Sequence, residues 1–538
     1  MSRKFICFLL IQILFLSLPL RVSASEINWS RFFDSSVFEK AKKENKFVIL
    51  DLEAVWCHWC HVMHEKTYAN PSLITLLESK FIPVRIDHDL RPDLANEYRD
   101  YGWPATIVFN ANGEELIKRA GYISPEELKQ DLQNIIENPI PEKPEVDQAK
   151  IKYSNGHHLS NELKKKLLEN YKTSYDSILG GLRSGQKFID RDSVEYSIVL
   201  ASKSDRFAKE VATMTLDSAL MLIDPVWGGV YQYSTMGGWD YPHFEKLAFI
   251  QGEYMRIYSL AYQAFDDKKY LDAALNIYKY LVDFLKDSKG VFYVSQDADL
   301  IQGEHSSEYF MLNDFGRRKL GIPRIDKHIY SSQNGFIINS LVYLFNVTND
   351  KKYLNDALVS VDWILKNRKL KFNLVDNLSW IFEDLFDFNL IVNRINWIIS
   401  NRAFPYIGFS HDKKDLVGPF LNDTLYMGIA FLNLYEATRD KKWLILSERT
   451  LRFIDKHFRK PLAGYATSVA SCKVCANKAP IALVDENIAL ARFASSLYKT
   501  TKYAEYKDII EYAMRFLVTP EIATQTITEP GILIADEI

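Results

Sequence analysis

Residues 47–61, Phe-Val-Ile-Leu-Asp-Leu-Glu-Ala-Val-Trp-Cys-His-Trp-Cys-His, constrain this chain more than any other stretch. An apolar run from Phe47 to Leu50 leads into two cysteines separated by two residues, which reads as a strand followed by a helix starting at Cys57. A cysteine at a helix N-terminus meets unpaired backbone N–H groups and the positive end of the helix dipole, and both favour the thiolate that attacks disulfides. Cys60, one turn further on, is placed to close a small ring with Cys57, so the pair carries two electrons unaided. His58, when protonated, would stabilise that thiolate and make the disulfide more oxidising; its plainer reading is a solvated histidine. Two other chemistries use the same residues. Cys-His-Trp-Cys-His61 fits the attachment pattern of c-type haem, which needs an exposed loop rather than a motif joined to a strand and a helix. Cys57/His61 and Cys60/His64 are also i,i+4 pairs of zinc-ligand types. A redox pair with no cofactor is the preferred reading, and zinc is the alternative.

Three further features make the stretch resemble the thioredoxin superfamily. Asp51 lies six residues before Cys57, Trp56 immediately precedes it, and Gly102-Trp-Pro-Ala-Thr-Ile-Val-Phe109 matches the loop that runs into a strand opposite the disulfide. The resemblance implies that Asp51 assists proton transfer to Cys60. It also implies that Pro104 is a cis-proline presenting backbone to the client.

At 538 residues, with 47% hydrophobic and 25% charged residues, the chain expects two or three globular domains. A net charge of −3 without a Lys/Arg cluster among aromatics argues against nucleic acid as a partner. Arg3 and Lys4, an apolar run from Phe5 to Leu20 and small residues up to Ala24 read as a secretory signal peptide, residues 1–24, and so as an exported, periplasmic or secreted protein. A retained anchor is the competing reading; elsewhere nothing is apolar enough to span a bilayer. Beyond that leader the cysteines form two Cys-x-x-Cys pairs, Cys57/Cys60 and Cys472/Cys475. The second reads as a local structural disulfide, as a relay exchanging with the first, or as half of a shared four-cysteine zinc site.

Taken in order, residues 25–137 read as one α/β domain. Helix is expected from Ile27 to Lys43, strands over 47–52, 81–87, 106–110 and 115–120, and a capped helix from Ser124-Pro-Glu-Glu127 to Ile136. This is the βαβαββα order of a thioredoxin fold. Asn138-Pro-Ile-Pro-Glu-Lys-Pro144 opens a linker over 138–154. From 155 to 520 the pattern is helical with a weak internal repeat. Ala261-Tyr-Gln-Ala-Phe-Asp-Asp-Lys-Lys-Tyr-Leu271, Leu344-Phe-Asn-Val-Thr-Asn-Asp-Lys-Lys-Tyr-Leu354 and Leu434-Tyr-Glu-Ala-Thr-Arg-Asp-Lys-Lys-Trp-Leu444 each mark one helix ending, an Asp-capped turn and another helix beginning, with a degenerate copy from Leu497. Stacked helical hairpins form an open solenoid or a closed toroid, and the long aromatic-rich loops favour the toroid.

With both halves in view the chain resembles the spermatogenesis-associated thioredoxin-domain family. The residues carrying this are Cys57-His-Trp-Cys-His-Val-Met63, Asp87 with Arg91-Pro-Asp93, Gly229-Val-Tyr-Gln-Tyr-Ser234, Pro242-His-Phe-Glu-Lys246 and Val291-Phe-Tyr-Val-Ser-Gln-Asp-Ala-Asp299. The resemblance implies a multidomain fold, an α/β thioredoxin-like domain followed by an all-α (α/α) toroid of the six-hairpin glycosidase and epimerase type. The chain departs from the family by lacking a glycine-rich insertion before Gly102 and by stopping at Ile538 in an apolar run, so 521–538 reads as a truncated tail.

In the helical part, Trp227, Tyr231, Tyr233, Trp239 and Tyr241 crowd a loop leading to His243 and Glu245, with Asp297 and Asp299 as further carboxylates. Stacking faces beside acid/base groups suit a carbohydrate ligand. They equally suit a core-and-loop role, since aromatics make up 13% of the chain. Three functions follow. The first is an exported thiol-disulfide oxidoreductase acting through Cys57 and Cys60, whose toroid binds or positions a client protein. The second is a carbohydrate-active toroid using His243, Glu245, Asp297 and Asp299 with a thioredoxin appendage. The third is a binding module without turnover.

Overall fold

The computed structural model describes residues 26–142, 150–371, 388–401, 405–415, 417–469, 480–525 and 530–537. The leader, part of the linker, and Cys472 with Cys475 lie outside these residues.

The N-terminal domain is a four-stranded sheet, β1 Phe47–Glu53, β2 Phe81–Asp87, β3 Ala105–Phe109 and β4 Glu115–Ala120, in the order β2-β1-β3-β4. β1 runs parallel to β2 and antiparallel to β3, and β3 is antiparallel to β4. The two inner strands are buried over most of their length, as largely apolar strands of a sheet covered on both faces should be, with Asp51 and Thr106 as buried polar exceptions. The last helix, Pro125–Glu137, opens with the capping box at Ser124 and Glu127. The expected helix over 27–43 is shorter: it is Ser35–Glu44, capped by Asp34, whose side chain accepts from the Ser36 N–H. The residues before it extend along β2, where Ser30 N donates to Pro83 O and Arg85 N donates to Ser30 O. Tertiary pairing at the sheet edge thus overrides the apolar spacing that suggested an earlier start.

Among the described residues, the rest of the chain is built around a ring of six helix pairs. The inner helices Arg191–Ser202, Ala248–Phe265, Ser331–Thr348, Leu421–Thr438, Val484–Thr501 and Pro530–Asp536 pack each on the next, and the last packs on the first. Their outer partners are Arg206–Ala219, Lys268–Tyr280, Lys351–Asn367, Lys441–Phe458, Glu505–Leu517 and, across the seam, Asn161–Thr173. The architecture is an α/α toroid. Residues 530–536, read from sequence as part of a tail, form an inner helix of the ring. They are short and apolar because neighbours bury them on several sides. The repeat marks the hairpin turns as expected. Asp266, Asn349, Arg439 and Lys502 each end an inner helix in the left-handed region, and Asp267, Asp350 and Asp440 cap the outer helices that follow.

Neighbouring inner helices approach closely where they carry glycine. A Cβ on Gly335 would lie 2.9 Å from the Tyr426 carbonyl carbon and 3.1 Å from the Met427 nitrogen. Gly335→Ala should therefore destabilise the toroid, with about 1–3 kcal/mol of overpacking outweighing the ~1 kcal/mol of helix propensity gained. A thermal midpoint unchanged or raised by this substitution would show that the helices can move apart freely.

Candidate functional site

The thioredoxin-like domain sits over the end of the ring where the inner helices begin. Asp485, in the first turn of Val484–Thr501, pairs with Arg99 at 3.3 Å. His411, ahead of Leu421–Thr438, contacts the Asp89 carbonyl through Nε2 at 2.7 Å.

Cys57 caps the helix His58–Val62, its sulfur accepting from the Cys60 N–H at 3.1 Å, and it is joined to Cys60 in a disulfide with Cα atoms 5.3 Å apart. The Trp103–Pro104 bond is cis. Leu247 of the toroid packs with Ala54, Trp56 and the two cysteines, backed by Trp103 and Ile250. Cys57 is left 4% and Cys60 3% exposed. Trp56 donates through its indole N–H to Asp89 Oδ2 at 2.9 Å, and its carbonyl accepts from the Ala298 N–H of the toroid at 3.3 Å.

The residues that sequence reasoning assigned to a separate sugar site come to the same place. His58 Nδ1 lies 2.7 Å from Asp299 Oδ1, and His61 Nδ1 lies 3.0 Å from Asp299 Oδ2. One toroid carboxylate therefore holds two histidines of the redox helix, and the Gly303 N–H donates to it at 2.9 Å. Burial works against the ionised form of Asp299, yet the histidine hydrogen bonds hold its carboxyl below the usual range. Burial likewise opposes charge on His61, while Asp299 and Asp297 raise it above an ordinary imidazole. Asp297, 3.7 Å from His61 Nε2, is pushed up to about 7 by burial. Glu245 Oε1 accepts weakly from the His58 N–H at 3.4 Å, and His243, stacked on Tyr233, has Nδ1 3.9 Å from Glu245 Oε2.

Asp51 is elsewhere engaged. Its buried carboxylate accepts from Arg85 Nε at 2.8 Å, and the Arg85 guanidinium lies 4.1 Å over Trp29. Burial raises the Asp51 pKa while Arg85 opposes the rise. Of the residues read from sequence as i,i+4 ligand pairs, His61 lies against Asp299. Both cysteines are in the disulfide and His64 lies against Arg85. His61, Asp297 and Asp299 offer ligand atoms all within 4.8 Å of one another. Both ring nitrogens of His61 are engaged, Nδ1 by Asp299 and Nε2 by the Val55 carbonyl, while Asp297 Oδ2 is buried without a hydrogen-bond partner among the described residues. His305, its ring 5.4 Å from His58, and His411 escaped the sequence reading, because neither belongs to a motif and each acts across the domain boundary.

The family model described as "Protein of unknown function, DUF255" matches residues 17–161. Human spermatogenesis-associated protein 20 is 28% identical over 297 residues, covering 49% of this chain and 38% of that protein. The chain is thus similar to the spermatogenesis-associated thioredoxin-domain proteins over about half of its length. It spans 38–41% of the length of the curated family relatives that it matches. Over the first domain it is also similar to thioredoxin H7 of Arabidopsis thaliana, 34% identical over 93 residues, covering 17% of this chain and 67% of that protein. Among solved structures, a cellobiose 2-epimerase from Spirochaeta thermophila is similar at 13% identity and a TM-score of 0.46, covering 70% of this chain and 96% of that one.

In this chain a second polar anchor lies beside the first. His411 Nδ1 faces Asp423 at 3.0 Å, and its ring stacks on Tyr330 at 4.1 Å. Burial alone would lower His411; the Asp423 carboxylate and the Asp89 carbonyl raise it to about 9. Because the folded value lies above the ordinary 6.5, the stability that this charge contributes is whole below pH 6.5 and is lost as pH rises toward 9. The loss should be on the order of 3 kcal/mol. Thermal midpoints should fall across that window, and His411→Gln should lower the midpoint at about pH 6 and flatten the decline. A His411→Gln profile parallel to the parent's would remove His411 as the titrating anchor.

Proposed function

We propose that this protein is an exported thiol-disulfide oxidoreductase whose active site is completed by its toroid. The observation that carries the reading is the Cys57–Cys60 disulfide at a helix start beside cis-Pro104, with His58 held at 2.7 Å by Asp299 of the other domain. Cys57 is the attacking thiolate. It breaks the partner's disulfide, forms a mixed disulfide and expels one thiol; Cys60 then attacks Cys57, releases the second thiol and closes the ring. His58, when protonated, favours the Cys57 thiolate, and Asp299 fixes the orientation of its ring. Export rests on the basic and apolar leader before Ala24. Among the described residues no helix is long and apolar enough to cross a membrane.

The carbohydrate reading has less support, since the carboxylates it needs face the redox helix: Asp299 is taken by His58 and His61, and Glu245 lies against the His58 backbone. Similarity to a thiol:disulfide interchange protein DsbD of Campylobacter jejuni, 30% identical over 98 residues and covering 17% of each chain, supports the redox reading.

Cys57→Ser should abolish disulfide exchange, and Cys60→Ser should accumulate the mixed disulfide on Cys57, visible by mass spectrometry. Asp299→Asn should keep the disulfide but lower kcat roughly tenfold, below the roughly 10²–10⁴-fold of a direct acid-base group because Asp299 acts only through His58. Undiminished exchange by Cys57→Ser would end the proposal.

A further inference from the structure

His61, Asp297 and Asp299 meet from two domains, and the hydrogen bonds among them leave one strong acceptor over. His61 belongs to the redox helix, whereas Asp297 and Asp299 follow the short toroid strand Ser295–Gln296. Asp297 is 1% exposed. Its Oδ1 accepts from the Asp299 N–H at 2.9 Å, but its Oδ2 has no hydrogen-bond partner among the described residues and stands 3.7 Å from His61 Nε2. A buried carboxylate oxygen without a donor is costly, and a bound cation removes that cost.

The neighbouring groups hold these side chains as ligands are held. His61 Nε2 faces the Val55 carbonyl at 3.1 Å, the kind of bond that fixes the tautomer of a metal-bound imidazole and leaves Nδ1 as the ligand atom. Nδ1 lies 3.0 Å from Asp299 Oδ2, close to the roughly 3–3.5 Å that separates two donors each 2.0–2.2 Å from one ion. Backbone N–H groups of Gly303 and Asp299 steady the two carboxylates. The three ligand atoms lie within 4.8 Å of one another, so an ion draws them in without moving a helix or a strand. Asp299 also lines a cavity of ≈ 50 Å³, which has room for ordered water at an open coordination position. Glu245, on the same cavity, carries a second buried oxygen, Oε2, without a hydrogen-bond partner among the described residues.

We propose that His61 Nδ1, Asp297 Oδ2 and Asp299 bind one divalent transition-metal ion of the zinc class, with water completing its coordination, and that the ion fastens the toroid to the redox helix. The imidazole sets the site apart from those of magnesium and calcium, whose ligands are oxygens. The ion takes the place of the proton that otherwise lies between His61 Nδ1 and Asp299 Oδ2, and Asp299 Oδ1 stays on His58. Neither cysteine is a ligand, so the site stands whether or not the thiol-disulfide reading holds.

The test uses the oxidised full-length protein, stripped with EDTA and with its free thiols alkylated, titrated with zinc chloride against a chromophoric chelator. One zinc ion should bind per chain, magnesium should not compete with it, and the thermal midpoint should rise in excess zinc because the ion binds only the folded, docked domains. X-ray absorption should show a single imidazole nitrogen with oxygens and no sulfur. Asp297→Asn should weaken zinc binding about a hundredfold, no less than the loss of a group that merely orients a ligand costs. His243→Gln, on the cavity but outside the three ligands, should bind zinc as the parent protein does. A parent protein that binds no zinc would mean that Asp297 holds only a proton, and it overturns the proposal. So does magnesium competing on equal terms, a midpoint unmoved by bound zinc, an affinity unchanged in folded Asp297→Asn, or an equal loss in His243→Gln. Should Asp297→Asn not fold, the absorption spectrum of the parent protein decides, and sulfur or a second imidazole on the ion overturns the assignment.

Discussion

The carboxylate of Asp299 holds two histidines of a helix in another domain, and the site depends on that arrangement. Taking an acid and two imidazoles out of water is expensive unless every lone pair and proton finds a partner. Here both carboxylate oxygens accept from His58 and His61, and a backbone N–H from Gly303 completes the set. The geometry of the docking follows, because a slip of one helical position would leave a charge buried without a partner. Such a pair contributes specificity of registration more than net stability.

The remainder of the interface follows the same logic. Arg99 meets Asp485, the Asp89 carbonyl meets His411, and Asp89 itself, pushed up to about 7 by burial, accepts from Trp56 beside Cys57. The toroid supplies these groups from the starts of its inner helices and from the short strands before them. The ring therefore acts as a frame that brings residues distant in sequence to one mouth, and the thioredoxin-like domain closes over it. Burial of a disulfide beneath Leu247 and Ile250 then changes what can reach it, although the local geometry of the two cysteines is that of an ordinary redox helix.

Local patterns carried much of this into the sequence. The strand, the Cys-x-x-Cys spacing and the capping box at Ser124 are short-range features, and the Asp-Lys-Lys repeat marked the hairpin turns because a cap is decided by its nearest neighbours. What was illegible is long-range. Closure of the ring depends on Pro530–Asp536 meeting Asn161–Thr173, and no local spacing encodes it. His243, Glu245, Asp297 and Asp299 stood out for their residue types, but sequence could not say that they face His58 rather than a sugar. His305 and His411 had no signal at all. The helix expected from Ile27 failed where an apolar run served a sheet edge instead.

His58 and Asp299 are 241 residues apart, and on the ribosome that distance is time. The sheet and the redox helix are complete once the chain passes Glu137, whereas the carboxylate that claims both histidines is added only when the second helix pair is already made. A nascent chain thus carries, for that interval, an open dithiol with uncommitted histidines. Its cysteines are uncovered then, and Leu247 and Ile250 reach them only after the first helix pair of the ring has been added.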